Sequence, residues 1–383
     1  MSFISMEFLL FLFIAVVVYY LLPQKGQWIW LLICSYLFYL SSGIKVTLFL
    51  VVSTFGVGLL LEQEDFRLKQ ILKQKNGNLT AEEKKMYKDK SKCRKKWLLA
   101  GALVFNFGIL AVLKYWNFAI DNWNILFHTE YNHVNFLLPL GISFYTFQSM
   151  GYLIDVYRKK YVPEHNLFRF ALFVSYFPQL LQGPIGRFDR LSHQFFEKHT
   201  FELMRIERGL QLMLWGFFKK MVLADRAAVL VNQVFQNYEE YSGIAIIAAV
   251  LGYSLQLYAD FSGGMDVVMG ASECFHIKLD QNFKQPYFAV SISDFWHRWH
   301  ITLGTWMKDY VFYPLSLSKG MNRFGKFTKK YFGKHVGRVL PVCISNLVIF
   351  FLVGVWHGAA WKFIAYGLYN GIIIAFSNLV APL

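Results

Sequence analysis

Charge is the scarcest property of this sequence. Only 16% of its 383 residues are Asp, Glu, Lys or Arg, whereas a soluble domain carries about a quarter. Hydrophobic residues make up 56% and aromatic residues 19%. Because water is a poor solvent for such a surface, the composition excludes an ordinary soluble protein and favours an integral membrane protein.

Cysteine is also rare, and the whole chain contains only Cys34, Cys93, Cys274 and Cys343. Their spacing includes no Cys-x-x-Cys pair and no pattern of metal ligands, so it predicts neither a disulfide framework nor a zinc site. Cys34 and Cys343 lie within apolar runs, which predicts that both are small core residues.

Acidic residues are too few to balance the basic ones, and the formal net charge is +15. In a soluble protein this excess would suggest binding to nucleic acid. In a membrane protein it is explained by basic cytoplasmic loops, which set the orientation of the chain. We therefore expect no nucleic acid partner.

Long apolar runs predict nine membrane-spanning helices, because one crossing needs about 20 apolar residues. The runs are residues 6–22, 27–40, 45–61, 97–116, 134–156, 210–234, 245–258, 339–356 and 360–379. The first run resembles a signal peptide but lacks a basic start and a small-residue cleavage site, so we interpret it as a retained span. Two further runs, 168–181 and 294–315, contain Pro, Gly or charge and predict re-entrant or interfacial segments.

Lysine and arginine predict the orientation. Residues 62–96 carry twelve basic residues against six acidic ones, so this loop is expected in the cytoplasm and the N-terminus outside. Residues 117–133 carry no Lys or Arg and are expected outside, whereas the basic stretches 157–169 and 318–338 are expected inside. Loop 62–96 is interpreted as a solvated connector, with a docking surface for a soluble partner as the alternative.

The predicted architecture is an all-α polytopic membrane protein with about 9–11 transmembrane helices. The sequence shows no internal repeat, unlike many transporters. We divide the chain into the N-terminal spans with the basic loop, residues 1–96, and a candidate catalytic core, residues 97–383, within one membrane domain.

His357 lies in Gly-Val-Trp-His-Gly at 354–358, at the end of a long apolar run. A titratable group at membrane depth is costly and marks a functional site by default. We expect a buried, neutral imidazole, which is the form that acts as a general base. Gly354 and Gly358 would allow another helix or a ligand to approach the backbone closely. The alternative is an interfacial histidine bonded to a carbonyl.

His300 ends the motif Phe-Trp-His-Arg-Trp-His at 295–300. On a continuous helix, Trp296, Trp299 and His300 share one face, and His297 projects elsewhere as a surface residue. Because mixed aromatic and basic residues are typical of the headgroup region, an interfacial anchor is the alternative. His300 and His357 together could bind a metal, but two histidine ligands without nearby carboxylates or thiols make a poor site.

Three clusters place polar side chains in apolar surroundings, at residues 139–148, 178–187 and 256–264. The prolines and glycines of the second cluster must break any helix there, which would turn its side chains toward a cavity. Interhelical hydrogen bonds of about 1 kcal/mol each are the alternative, but together the clusters predict a polar tunnel. Their polar side chains are Ser143, Tyr145, Thr146, Gln148, Gln179, Gln182, Arg187 and, at the end of a predicted span, Asp260.

These motifs, in this order, resemble the membrane-bound O-acyltransferase family. The match consists of Phe-Trp-His-Arg-Trp-His at 295–300, Trp-Met-Lys-Asp-Tyr at 306–310 and Gly-Val-Trp-His-Gly at 354–358, supported by residues 141–148, 182–187 and 282–287. The resemblance is strongest to the bacterial branch that includes proteins of alginate O-acetylation and of D-alanyl transfer to teichoic acid. It implies that His357 is the catalytic histidine and that His300 is a second important histidine.

The resemblance also implies a ring of transmembrane helices around a central tunnel. The candidate tunnel-lining residues are Asn282, Gln182, Arg187, Tyr145, Gln148, Asp260, Trp299 and Trp356. The chain departs from the branch at His297, where arginine is usual. Relatives of the alginate type also usually continue with further helices, so we expect either a shorter variant or a piece of a longer protein.

The implied reaction moves an acyl group, with acetyl as the first choice, from a cytoplasmic thioester to a hydroxyl. The donor would be acetyl-CoA or an acyl-phosphopantetheine carrier protein, with no bound cofactor or metal. The acceptor would be an extracytoplasmic polysaccharide, a cell-wall polymer or a partner acyltransferase, at the bacterial plasma membrane. D-alanyl transfer for teichoic acid modification is one alternative. A transporter or flippase for a lipid-linked or acyl-carrying molecule, or a structural subunit of an export complex, is another.

Overall fold

The computed structural model describes residues 3–39, 44–74, 80–136, 141–180 and 182–380. Across these ranges the chain forms helices, and its β-structure is limited to one bridge between Phe283 and Trp299. The predicted all-α fold is therefore confirmed. The helices are α1 (Met6–Leu21), α2 (Gln24–Tyr39), α3 (Ile44–Gln74), α4 (Ala81–Phe127), α5 (Ile142–Tyr157), α6 (Leu167–Ser175), α7 (Phe177–Leu180), α8 (Phe188–Phe196), α9 (Leu203–Phe217), α10 (Asp225–Gln236), α11 (Gly243–Glu273), α12 (Ile292–Arg298), α13 (Ile301–Met307), α14 (Tyr313–Ser316), α15 (Lys319–His357) and α16 (Trp361–Val380).

Four helices in the described ranges, namely α4, α11, α15 and α16, are long and apolar enough to cross a bilayer, and α1 is a shorter apolar helix. The apolar runs 97–116, 245–258, 339–356 and 360–379 lie within or almost within these four helices. A polytopic membrane protein is therefore confirmed. The ring arrangement, the orientation and the division at residue 96 stay predictions.

Several helices are longer than the apolar runs that predicted them, among them α3, α4, α11 and α15. Helix α4 continues through the apolar run to Phe127, so most of the expected outer loop 117–133 is helical. Helix α11 continues to Glu273, so Asp260 lies inside this helix and not at the end of a span. Polar side chains do not end a helix, because the backbone hydrogen bonds of a helix form within the helix itself. Asn122, for example, donates to the carbonyl of Phe118 one turn earlier, at 2.6 Å.

The two apolar runs that were predicted to be broken are indeed interrupted. Residues 168–180 lie in α6 and the single turn α7, and irregular backbone runs from Gln182 to α8. Residues 294–315 contain α12, α13, a π-helical segment, Lys308–Phe312, and α14. Within the first polar cluster, Pro139 and Leu140 lie outside the described residues.

The chain divides into two compact units. The first comprises Met1–Phe55, Pro139–Ser149 and Glu164–Asn282. The second comprises Gly56–Leu138, Met150–Pro163 and Phe283–Leu383. His300 and His357 therefore belong to the second unit, whereas most of the candidate tunnel residues belong to the first.

In the first unit, α9 packs on α11 through facing glycines. A side chain at Gly209 or Gly216 would collide with the backbone of α11, as is usual where membrane helices approach closely. The chain then enters a π-helical segment, Phe218–Ala224, where the ammonium of Lys219 lies 2.7 Å from the carboxylate of Asp266. Pairing is what allows such charges to be buried.

In the second unit, α15 packs on α16. A side chain added at Gly367 would meet the carbonyl oxygen of Phe350, and one added at Gly354 would meet that of Phe363. The predicted close approach at Gly354 is therefore confirmed, with α16 as the neighbour. Gly333, with a φ of 88°, bends α15 near its middle, which is a backbone angle that favours glycine.

We expect Gly367→Ala to lower the free energy of unfolding by about 1–3 kcal/mol, because the added methyl forces the two helices apart. The measurement is the apparent melting temperature in detergent. Gly108→Ala in α4 is the matched control, because a methyl there meets nothing within 4 Å and alanine favours helix. Equal melting temperatures for the two variants would contradict the tight contact.

Cys93 offers a test of orientation, because it is exposed while Cys34, Cys274 and Cys343 are buried. If the basic segment is cytoplasmic, a membrane-impermeant maleimide should label Cys93 in inverted vesicles but not in intact spheroplasts. An added cysteine at Glu130, which follows α4 and is exposed, should show the opposite pattern. Labelling of Cys93 in spheroplasts would reverse the predicted orientation.

Candidate active site

His300 lies at a break between two short helices. Helix α12 ends at Arg298, Trp299 has an extended backbone, and His300 has φ 48° and ψ 50° before α13 begins. The antiparallel bridge between Phe283 and Trp299 fixes this break, and the amide of Lys284 donates to the carbonyl of Arg298 at 2.9 Å. Left-handed backbone outside glycine is uncommon and concentrates at functional sites.

This break corrects the expected helical face. Trp296, Trp299 and His300 do not share one face, because the helix ends before Trp299. Instead, Trp299 stacks on Phe295 with 5.5 Å between ring centroids, and His300 is only 3% exposed. His297 is exposed, as predicted, and its Nδ1 lies 2.7 Å from the carbonyl oxygen of Ser293.

His357 is the last residue of α15, and Gly358 continues with extended backbone. A side chain at Gly358 would collide with the ring of Phe363, so this glycine lets the chain turn closely into α16. The side chain of His357 is accessible at the surface of the packed helices, and a neutral imidazole buried at membrane depth stays a prediction. The helix ends here, which leaves the imidazole at the edge of the packed helices.

Trp356 connects the two histidines. Its ring lies 5.5 Å from the ring of His300 and 5.0 Å from that of His357, with interplanar angles of 69° and 73°. The ring of His357 also lies 6.4 Å from that of Phe363 and 6.3 Å from that of Tyr366. The two histidines that the sequence singled out are therefore brought to one aromatic cluster in the second unit.

A cavity of about 290 Å³ adjoins His300 in the second unit. Its walls come from α12, α13, α15 and α16 and are mainly aromatic and aliphatic. His357 is not among the residues that line it. The cavity therefore offers an apolar space beside the buried histidine, with a few polar groups. The polar residues of its lining are Ser293, His297, His300, Thr305, Lys308, Asn346 and Asn378.

In the first unit, the loop 182–187 gathers three glutamines. A side chain at Gly186 would contact the amides of Gln148 and Gln179, both of which are buried. Gln182 packs against Gly264 of α11. These three glutamines therefore lie near the broken helix, and the predicted polar tunnel stays a prediction.

A second cavity, of about 630 Å³, opens beside this loop, and Arg187, Arg190 and Lys278 are among its lining residues. Arg190 pairs with Asp280 at 3.3 Å. The four charged side chains of this cavity therefore carry a net positive charge, which suits an anionic group.

The remaining candidate tunnel residues lie elsewhere in the first unit. Tyr145 and Asn282 are fully buried, and the amide of Asn282 lies 3.3 Å from the sulfur of Met265. Asp260 forms an ion pair with Lys220 at 2.6 Å. Neither Asp260 nor Asn282 lines the basic cavity. In the part of the chain that is described, no group of three or more His, Cys, Asp or Glu residues is placed to hold a metal ion.

Sequence reasoning missed Lys114 and Tyr115, which donate to the carbonyls of Trp356 and Val355 in the last turn of α15. The available signal was a lone lysine near the end of an otherwise apolar run. Such a cation at membrane depth is expected to have a partner.

Known proteins with similar sequences are acyltransferases, in agreement with the family that the motifs resemble. The profile of the membrane-bound O-acyltransferase family matches residues 162–328. The probable alginate O-acetylase AlgI of Pseudomonas putida is 35% identical over 97% of this chain and 70% of its own length. The peptidoglycan O-acetyltransferase of Helicobacter pylori is 36% identical over 73% of this chain and 54% of its own length.

The teichoic acid D-alanyltransferase of Bacillus subtilis is 32% identical over 67% of this chain and 63% of its own length. The chain thus spans between about half and 70% of the length of these relatives. The names of these relatives share one reaction class, transfer of an acyl group, and differ in the acyl group and the polymer.

Two further histidines form a stacked pair away from these motifs. The rings of His199 and His276 lie 4.9 Å apart with 3° between their planes. The hydroxyl of Tyr19 lies 2.6 Å from Nδ1 of His199, and the amide of Gln27 donates to its carbonyl at 3.0 Å. The sequence did not indicate this pair, because neither histidine lies within an apolar run.

Burial, followed by the neighbouring His276, lowers the pKa of His199 to about 4, against about 6.5 in an unfolded chain. Between about pH 4 and pH 6.5, the unfolded state therefore binds more protons than the folded state. The contribution of His199 to stability is full above pH 6.5 and is lost as the pH falls toward 4. Lowering the pH from 7 to 5 should therefore destabilise the folded state, seen as a lower melting temperature.

The control for this prediction compares two glutamine variants. His199→Gln should flatten the dependence of melting temperature on pH between 5 and 7. His193→Gln should leave it unchanged, because His193 is exposed. An unchanged slope in His199→Gln would show that another group titrates.

Proposed function

The chain belongs to the membrane-bound O-acyltransferase family, and we propose that it moves an acyl group from a cytoplasmic thioester to a hydroxyl on the outer side of the membrane. Its relatives are named as acetyltransferases, acetylases and D-alanyltransferases, so the enzyme is an acyltransferase. The donor, the acceptor and the roles of individual residues are parts of this proposal.

The observation that carries the assignment is the convergence of two histidines on Trp356. His300 and His357 are 57 positions apart in the sequence, yet both rings contact the same indole. One imidazole is buried beside a cavity and the other is exposed at a helix end. Such a pair provides two differently placed groups for one reaction.

In the proposed reaction, the acceptor hydroxyl attacks the carbonyl carbon of the thioester, forming the ester C–O bond. A ring nitrogen of His357 accepts the hydroxyl proton as the bond forms, a contribution of roughly a hundred- to ten-thousandfold. The C–S bond then breaks, and the thiolate takes up a proton to leave as a free thiol. His300 orients the donor or polarises its carbonyl, and holding both substrates together supplies the remaining gain.

The charge of the basic cavity supports a donor that carries phosphate. Coenzyme A and the phosphopantetheine arm of a carrier protein both present phosphate groups, which arginine and lysine bind well. Arg187, Arg190 and Lys278 line this cavity, and only Asp280 among its lining residues is acidic. In this proposal no metal or redox cofactor takes part.

Acetyl is the first choice for the acyl group. The relatives named as O-acetylases or O-acetyltransferases match up to 98% of this chain. The D-alanyltransferases match a smaller share, 67% and 61%, and D-alanyl transfer remains the second candidate. The acceptor would be an extracytoplasmic polysaccharide, a cell-wall polymer or a partner acyltransferase, reached from the bacterial plasma membrane.

The central test is the O-acyl ester content of cell-surface polymers, released with mild alkali and identified by mass spectrometry. His357→Ala should abolish the ester, because the base that accepts the hydroxyl proton is lost, and His300→Ala should lower it strongly. The released acid names the acyl group.

His193→Ala is the matched control, because His193 is an exposed histidine that is not among the lining residues of either cavity. All variants are compared at equal protein levels in the membrane. Unchanged ester content in His357→Ala would reject this role for His357 and favour a transporter or a structural subunit.

A further inference from the structure

One side of α4 contacts the turn that carries His357. Lys114, Tyr115, Phe118 and Asn122 occupy positions i, i+1, i+4 and i+8, which places them along the same side of the helix. Their partners lie between Val355 and Trp361, on both sides of His357 in the sequence. All of these residues belong to the second unit.

On the amino-terminal side of His357, the contacts are hydrogen bonds to carbonyls. The ammonium of Lys114 donates to the carbonyl of Trp356, and the hydroxyl of Tyr115 donates to the carbonyl of Val355. The last four carbonyls of a helix have no partner within it, and a cation is favoured there by the helix dipole. Lys114 Nζ also lies 5.8 Å from the centroid of the Trp356 ring.

On the carboxyl-terminal side, the contacts involve Trp361 at the start of α16. Its indole N–H donates to Oδ1 of Asn122 at 2.8 Å, while the amide of Asn122 donates to the carbonyl of Phe118 at 2.6 Å. The rings of Phe118 and Trp361 meet edge to face, with 5.7 Å between centroids. The turn is therefore fixed at both ends by one helix.

We propose that Lys114 is a positioning residue for acyl transfer. Together with Tyr115 it fixes the last turn of α15, and through that turn the direction of the His357 imidazole. This inference rests on the proposed role of His357. A lysine within a membrane-spanning helix is costly, and the carbonyl of Trp356 explains its presence. A base displaced by about 1 Å can lose about a hundredfold in rate.

The test measures initial rates of ester formation in membrane vesicles over a series of acetyl-CoA concentrations. Lys114→Met keeps the apolar stem and removes the donor, so kcat should fall by about 10- to 100-fold with the KM for acetyl-CoA unchanged. Lys114→Arg keeps a cationic donor and should restore most of the rate.

A second readout does not depend on activity. Hydrogen exchange of the backbone amides at 353–361 should become faster in purified Lys114→Met and stay as in the native protein in Lys88→Met. Lys88 lies in the exposed part of the same helix and is the matched control. Faster exchange confined to 353–361 would identify loss of local order and not general unfolding.

The outcomes separate the two proposals. Native kcat in Lys114→Met, with an inactive His357→Ala, would overturn the positioning role and leave the proposed function standing. Unchanged exchange at 353–361, or a loss carried by KM alone, would also overturn it. Native activity in His357→Ala would instead reject the proposed function, and the positioning role would fall with it.

Discussion

The structure depends on one constraint: backbone polar groups at membrane depth need partners inside the protein. The chain interrupts its helices at both histidine motifs, and particular groups satisfy the exposed backbone there. The carbonyl of Arg298 accepts the amide of Lys284, and the carbonyl of Trp356 accepts the ammonium of Lys114. Because these backbone carbonyls are hydrogen-bonded, His300 and His357 can lie at helix ends. At a helix end, a side chain can point in a direction that is not accessible within a continuous helix.

The sequence predicted features whose cause is local. Apolar length indicated the spanning helices α15 and α16, and the prolines and glycines at 178–187 indicated the broken segment between α7 and α8. The extension of α4 to Phe127 was not predictable in this way. Its polar residues resemble a loop in composition, yet asparagine can bond to its own helix, as Asn122 does. Composition alone does not show whether such a polar segment forms a loop or continues the helix.

The site was predicted in its residues but not in its geometry. The motifs identified His300, His357 and Trp356, and the structure brings them together. No glycine or proline marks the break before His300. The break is fixed by the bridge between Trp299 and Phe283, which are 16 residues apart in the sequence. Lys114 was missed for a similar reason. Lys114 donates to a carbonyl that lies 242 positions later in the sequence, and no local sequence pattern connects the two residues.

The different exposure of the two histidines fits different tasks in the proposed reaction. A general base must release its proton before the next turnover, which requires an imidazole that can exchange protons with its surroundings. An imidazole that is 3% exposed cannot do so easily, but it can hold a bound carbonyl in one direction inside an apolar cavity. The position of His357 at a helix end is therefore compatible with the proposed role as the base, and the buried position of His300 beside a cavity is compatible with an orienting role.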